Sequence, residues 1–402
     1  MIRDHGTQKY DAIVIGGGII GAFSALELAR LGVEKVLLLE KNYPGAGASG
    51  KSSAILRPTS VCDDALELAR AGLEQYSHFR AETGLDIGFH EVGMVTITDH
   101  ATAESFCATR DDATLLDSAA LVDLEPEAVF AEGEVGIFEP SAATVHPIST
   151  VSACLEAARR QGVEVRSGVG VRAIESEGGC VSGVRLTDGG RVTAPAVVNA
   201  AGPWALGLVK TLGFELPLIS IRTEQAYLET PPELSGRRLI FSDGTLNLTW
   251  LPEDAGWTRV ERRVSFSGGG REIDPEGPVD PDHYDEGVSG EFLQRYGRRI
   301  SERVPAYRTR PSRGGCGAIQ TVTPDDRGII ASVPGSEGLI VAAGFADAAF
   351  SLAPAVGRGI AARISGSDHG APDLSAFCPT RFEAPVPVAE TRGLGFERSG
   401  LS

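Results

Sequence analysis

The residues Gly16-Gly17-Gly18-Ile19-Ile20-Gly21 set three glycines at the spacing GxGxxG. That spacing suits one kind of chemistry. Gly16 permits a tight turn, Gly18 lets bare main chain approach a pyrophosphate, and Gly21 lets a helix pack on a strand. Phosphates then meet the unpaired N–H groups opening a helix at Ile19 and Ile20, together with the positive end of its dipole. Glu40 stands 22 residues beyond Gly18, where a carboxylate accepts hydrogen bonds from ribose hydroxyls and repels a 2′-phosphate. The pattern predicts an adenine dinucleotide and leaves FAD and NAD both open. A second glycine cluster, Gly268-Gly269-Gly270, leads into Ile273-Asp274-Pro275 rather than a helix. It reads as a strand-end bend near the ligand.

The fingerprint has meaning only if the right elements surround it. Residues 12–15 are an apolar run ending in glycine, which predicts a buried parallel strand. Residues 19–31 carry Ile20, Phe23, Leu26 and Leu31 near one face and predict a helix stopped by Gly32. Residues 36–39 predict a second strand closed by Glu40, completing a right-handed crossover unit. Further helices are expected over 62–82, 150–161 and 353–364, and buried strands over 163–165, 196–199 and 339–343. Residues 169–197 alternate short strands with Gly-rich turns, an antiparallel meander. Strand-like stretches at 219–228, 246–251 and 259–267 lie among Pro- and Gly-rich turns and predict a separate sheet. The expected fold is mixed α/β: a Rossmann-like dinucleotide-binding domain, discontinuous, with an inserted antiparallel-sheet substrate domain. Its expected boundaries are 9–88, 148–216 and 317–378 for the first, 89–147 and 217–316 for the second, and 379–402 for a tail.

The formal net charge of −17 over 402 residues argues against nucleic acid or an anionic membrane as partner. Six scattered cysteines form no CxxC pair and no metal-ligand spacing, so no metal is expected. Sparse thiols, a polar start and the lack of a run of about 20 apolar residues predict a cytoplasmic protein.

Four blocks resemble the D-amino-acid oxidase superfamily of flavoproteins, in its sarcosine oxidase and glycine oxidase branch. They are the fingerprint with Glu40-Lys41; Gly45 to Ser53 with Ile55-Leu56-Arg57; Val197 to Trp204; and Thr323-Pro324-Asp325-Asp326 with Gly344-Phe345 and Ala353 to Gly357. The resemblance implies FAD. It implies that Ser49, Lys51, Ser52 and Ser53 line the pyrophosphate and ribityl chain, and that the backbone of Val171 contacts adenine. It further implies that Ala200, Ala201 and Gly202, followed by Trp204, lie against the cofactor. Gly344, Phe345, Ala346, Asp347, Ala348, Ala349 and Phe350 would cover the pyrimidine side of the ring, at a helix N-terminus able to stabilise negative charge. Arg57 matches an arginine that pairs with the substrate carboxylate, a task suited to bidentate geometry.

The chain also departs from that branch. Ala346 to Ala349 replace a run containing Gly-His-Gly, and Ser351 replaces a lysine that helps hold the carboxylate. Arg263 stands where the branch has the lysine that promotes reaction with oxygen, so oxidase and dehydrogenase both stay open. Cys316 lies near a cysteine that tethers FAD covalently in some members, but two positions early, so a thioether and a plain core thiol both remain. His146 falls where multi-subunit relatives attach a second flavin; before Pro147 it reads first as a helix-start histidine. The implied reaction oxidises a small amine or amino acid to an imine, with oxygen or another acceptor taking the electrons. Turnover should rise toward alkaline pH as the amine loses its proton. Arg222, Tyr227, Tyr307 and Arg308 are unranked candidates for the substrate side. A catalytically silent flavin-binding subunit and an NAD-dependent dehydrogenase are the competing readings.

Overall fold

A computed structural model describes residues 9–58, 63–253, 256–263, 278–367 and 370–382. Cys62, the Gly268-Gly269-Gly270 cluster and most of the expected tail lie outside the described residues.

Strand β1 (Ala12–Ile15), helix α1 (Ile19–Arg30) and strand β2 (Val36–Glu40) form the crossover unit. β1 pairs in parallel with β2 on one side and with Ala196–Asn199 on the other, Ile15 lying opposite both Leu39 and Asn199. Glu164–Ser167 extends the sheet beyond β2, and Leu339–Ala343 extends it beyond Ala196–Asn199. An antiparallel edge strand, Ile329–Ser332, completes six strands.

Every central strand is apolar on both faces because both faces are covered. Ala12, Val14, Val36, Leu38 and Val198 pack under α1 and the helices Pro147–Arg160 and Ala349–Ser365. Their neighbours Ile13, Ile15, Leu37, Leu39 and Val197 pack against the meander Val171–Thr193 and the helix Ala205–Lys210. The sheet therefore draws its strands from three separated stretches of chain, as a discontinuous domain requires.

The second sheet has eight strands, in the order Ser312–Val322, Ile219–Glu229, Trp257–Arg262, Leu248–Glu253, Ile240–Asp243, Met94–Thr98, Val135–Glu139 and Thr114–Leu116. It is not wholly antiparallel: Ile240–Asp243 runs parallel to Met94–Thr98. A strand of 89–147 thus joins a strand of 217–316 side by side. Along the chain side chains alternate between faces, and the faces differ in kind. Val95, Phe241, Trp250, Val260 and Ala226 face the helix Gly290–Arg303 through Phe292, Tyr296 and Ile300. The Phe241 and Trp250 rings stack at 4.7 Å. The other face is polar and looks toward the first sheet.

Two helices begin earlier than their patterns suggest, and one begins later. The helix expected from 150 starts at Pro147, with His146 as its N-cap: Nδ1 accepts from Ser149 N at 3.2 Å. The helix expected from 62 is a 3-10 turn over Asp63–Ala65 and then helix α2 (Leu66–Thr83). The helix expected from 353 starts at Ala349, because Pro354 sits inside it rather than opening it. Pro354 has no N–H to give Phe350 O. The Tyr76 hydroxyl of α2 donates to that carbonyl instead, at 3.0 Å. The helices approach closely at Gly72, where a Cβ would meet Ser351 O at 2.2 Å.

Candidate active site

The strand-to-helix junction is built from close contacts that only glycine allows. Gly16 takes φ +106°, and a Cβ there would lie 2.5 Å from Ala200 O. A Cβ on Gly21 would come within 2.0 Å of Gly16 O. Ala200 N donates to Ile15 O at 2.9 Å, so the end of Ala196–Asn199 is clamped to the end of β1. Asn199, fully buried, bridges this bend by donating to Ala205 O at 3.0 Å. Ala201 N donates to its side-chain oxygen at 3.3 Å, and Gly202 turns the chain at φ +53°.

Glu40 ends β2 beside this junction. Its carboxylate accepts from Gly17 N at 2.8 Å and from Asn42 N at 2.7 Å. Two carboxylate oxygens offer about four acceptor sites, so capacity for sugar hydroxyls is left. Gly168 N and Val169 N donate to Asn42 O and Glu40 O, bringing the start of the strand at Val171 against the same corner. Ser49 reaches the helix start: its Oγ accepts from Ile19 N at 3.0 Å, and a Cβ on Gly18 would be 3.1 Å from it. Main-chain amides at the head of α1, a carboxylate for sugar and a hydroxyl-bearing loop fit a dinucleotide.

Between that loop and the polar face of the second sheet lies a cavity open on one side to solvent. Ser49, Lys51, Ser52 and Ser53 form one wall, and Ala346, Asp347, Ala349 and Phe350 a second. The third is the sheet. Successive register partners Thr96, Ser242, Thr249, Glu261, Gln225 and Cys316 carry its polar row across six strands. Along the strand Trp257–Arg262 and just past it, Arg259, Glu261 and Arg263 share this face. Burial raises the Glu261 carboxyl to about 7; Arg259 opposes the rise, Asp347 adds to it and a hydrogen bond with Ser53 opposes it. Burial, and then the nearby Arg57, lower the pKa of the Arg263 guanidinium. Two alanines hold left-handed backbone, Ala54 in the core next to Ser53 at φ +50° and Ala346 on the cavity wall at φ +46°.

Several expected residues stand elsewhere. The Arg57 guanidinium is engaged by the fully buried Glu139 carboxylate and by Thr96 Oγ1. Ser351 is buried and accepts from Arg57 N at 3.1 Å. Arg57 and Ser351 are not among the residues lining the cavity; Arg263 is, and its Nε donates to Ser242 Oγ at 3.2 Å. Gly344, Phe345 and Ala348 lie in the core next to the wall; the Phe345 ring meets Phe377 edge-on at 5.5 Å.

Lys41 and Trp204 come together away from the cavity. The ammonium lies 3.6 Å from the indole centroid, and both side chains donate to Asp282 at 2.8 Å. Lys51 Nζ donates to Glu286 at 2.7 Å, Tyr284 at 2.9 Å and Gly317 O at 3.1 Å. Burial works against its charge, but those partners prevail and raise its pKa. Residues 282–286 thus strap the loop to the second sheet. Cys316 accepts a hydrogen bond from Gln225 at 2.9 Å, and the cavity is lined by Ala318, two residues further along the same face. Arg222 supports the strap by donating to Asp285 O and Gly287 O, Tyr307 is buried against Thr258 on the opposite face, and Arg308 is exposed. Of those four candidates only Tyr227 shares the polar face, with Arg259 over its ring. Glu261 and Gln225 were not singled out from sequence. Their signal is present as period-two polarity in Thr223, Gln225, Tyr227 and in Arg259, Glu261, Arg263.

Residues 11–363 match the family described as FAD dependent oxidoreductase, DAO. The chain belongs to that family. FAD is accordingly its cofactor. The chain is 27% identical to human peroxisomal sarcosine oxidase over 390 residues, covering 93% of this chain and 96% of that protein. It is 26% identical to the formaldehyde-forming 4-methylaminobutanoate oxidase of Paenarthrobacter nicotinovorans, covering 91% of this chain but 45% of that protein. In three dimensions it superposes on L-proline dehydrogenase from P. horikoshii with a TM-score of 0.82 at 21% identity, covering 94% and 99% of the two chains. Glycine oxidase from Geobacillus kaustophilus gives 0.79 at 24%, covering 93% and 99%. These structural likenesses establish the fold. Among the described residues no helix is long and apolar enough to cross a membrane.

Proposed function

We propose that this DAO-family flavoprotein oxidises a small amine or amino acid, of the secondary or N-methyl amine or imino acid type, in the cavity facing Ser53 and Glu261. The observation that carries this reading is the polar row on the second sheet, set opposite the dinucleotide junction and its loop. The relatives named above act on amines or amino acids by their names, which supports the substrate class. Held by Gly16, Gly18, Glu40 and the Ser49–Ser53 loop, FAD would supply the electron chemistry, a two-electron oxidation of the carbon next to the substrate nitrogen.

The protein binds, orients and dehydrates. Gly16, Gly18, Ile19, Ile20 and Gly21 present amides to the pyrophosphate; Glu40 takes ribose, and Ser49, Ser52 and Ser53 meet the ribityl side. Arg263 meets a substrate carboxylate on the cavity wall, in the place first expected of Arg57, whose charge Glu139 already balances. The proposed division keeps 9–88, 148–216 and 317–378 as the FAD unit and 89–147 with 217–316 as the substrate unit. One continuous strand, Ser312–Val322, bridges them at 316/317.

The test is anaerobic. Purified protein should absorb near about 450 nm, the flavin band, and N-methyl amino acids, cyclic imino acids or glycine analogues should bleach it. Colourless protein that binds NAD would favour the nicotinamide reading, and coloured protein that no amine bleaches would favour a silent subunit. Readmitting air then separates oxygen, with hydrogen peroxide as product, from another acceptor.

A further inference from the structure

We propose that Glu261 is the proton acceptor that converts the substrate's ammonium group to the neutral amine inside the cavity. The inference rests on the amine-oxidising reading above and adds a catalytic residue to it.

Among the described residues three acids line the cavity, and two of them accept hydrogen bonds from neighbouring side chains. Glu224 is held by Arg222 at 3.1 Å and by Ser289 Oγ at 3.2 Å. Asp347 receives the Gln320 side-chain amide. Glu261 stands at the middle of the polar row, between Thr249 and Gln225 in register. Ser53 lines the same cavity on the facing loop. No histidine lines this cavity among the described residues.

The charged and titratable groups facing Glu261 come from every wall. Arg259 and Arg263 flank it on its own strand. Tyr227 stands on the next strand and Glu253 on the other neighbour. Cys316 lies beyond Tyr227's strand, Asp347 at the helix start and Lys51 on the loop. Arg259 donates to Glu253 at 2.7 Å and to Gln225 at 3.1 Å, so its charge is shared rather than given to Glu261 alone. Lys51 is tied to Glu286, and burial raises the Tyr227 phenol above its ordinary range. What remains is a carboxylate whose charge burial disfavours, titrating at about 7 and therefore a base able to hold a proton at neutral pH.

The step is an acid–base exchange. An N–H bond of the ammonium breaks, its electron pair stays on nitrogen, and an O–H bond forms on Glu261. No electrons leave either partner. Ser53 lines both this cavity and the wider cleft carrying His90 and His146.

In the holoenzyme the rate of anaerobic flavin bleaching per unit of substrate should fall below pH about 7 as Glu261 takes its proton. Glu261→Gln should lose that acidic limb and instead rise with the substrate's own deprotonation. It should be slower by about 10²-fold near neutral pH and within a few-fold of the native protein near pH 10, the range expected of a general base. Asp347→Asn removes a negative neighbour, so the limb should move to lower pH; Arg259→Gln removes a positive one, so it should move to higher pH. A readout without turnover accompanies these. The visible flavin spectrum of substrate-free holoenzyme should titrate near 7 in the native protein and not in Glu261→Gln.

If Glu261→Gln fails to hold FAD, Asp347→Asn and Glu261→Asp carry the test through the position of the limb. A Glu261→Gln protein with an unchanged limb, or an unmoved limb in Asp347→Asn, overturns the proposal. Native holoenzyme that no amine bleaches overturns the amine-oxidising reading instead, whatever its spectrum does with pH.

Discussion

Tyr76→Phe removes one oxygen and nothing else. Tyr76 is 1% exposed and Phe350 2%, and the lost hydroxyl donates to Phe350 O at 3.0 Å. That carbonyl's helical partner would be the N–H of residue 354, which proline lacks. The variant therefore leaves a buried acceptor bare, at a cost of about 1–3 kcal/mol. The ring itself stays packed edge-on against Phe23 at 5.4 Å, so no cavity contribution is added. Equilibrium urea unfolding of the holoprotein measures the loss. A cycle with Pro354→Ala isolates its cause, because alanine restores the missing N–H. In the Tyr76→Phe background Pro354→Ala should return about 1 kcal/mol more than it does in the native background. A cost below about 0.5 kcal/mol for Tyr76→Phe, or no coupling in the cycle, would refute the reasoning.

Other expectations follow from the same geometry. Gly21→Ala puts a methyl 2.0 Å from Gly16 O and should cut flavin content at least about tenfold in purified protein, read from visible absorbance. Ala346→Gly relieves left-handed backbone at φ +46° and should raise stability by up to about 1 kcal/mol with FAD retained, a lower melting temperature being the contrary result. Arg57→Ala strands the Glu139 carboxylate in the core, an effect of about 3–5 kcal/mol. Arg57→Met with Glu139→Leu should recover most of that stability and keep amine bleaching, whereas loss of bleaching in the stable double variant would return Arg57 to the substrate.

The first sheet is legible because its signals are local. Glycine spacing, an apolar run of four and a carboxylate at a fixed distance each act within one crossover unit. Helix starts were less legible where a proline had two readings. Pro147 opens a helix, as proline at N1 does, whereas Pro354 lies inside one because Tyr76, far earlier in the chain, supplies the absent hydrogen bond. The polar face of the second sheet was visible as alternation but not as a site, since its row is assembled from strands between Thr96 and Cys316 by pairings no single segment encodes. Arg57 shows the same limit from the other side. The resemblance implied a cation for a substrate carboxylate, and only the fold brought Glu139 to it.

A chain of net charge −17 must hold a doubly anionic pyrophosphate, and four cations near the site are already paired. Lys41 pairs with Asp282, Lys51 with Glu286, Arg57 with Glu139 and Arg259 with Glu253. Attraction by side-chain charge is therefore largely internal to the protein, where it fastens the strap and loop to the second sheet. What is left for phosphate is the head of α1, where Gly18 brings no side chain and Ser49 covers one amide that a ligand oxygen can share. Affinity at this site then depends on main-chain dipoles held in place by close glycine contacts, which salt screens far less than it screens exposed lysines. It also follows that the junction tolerates loss of a lysine better than gain of a methyl group.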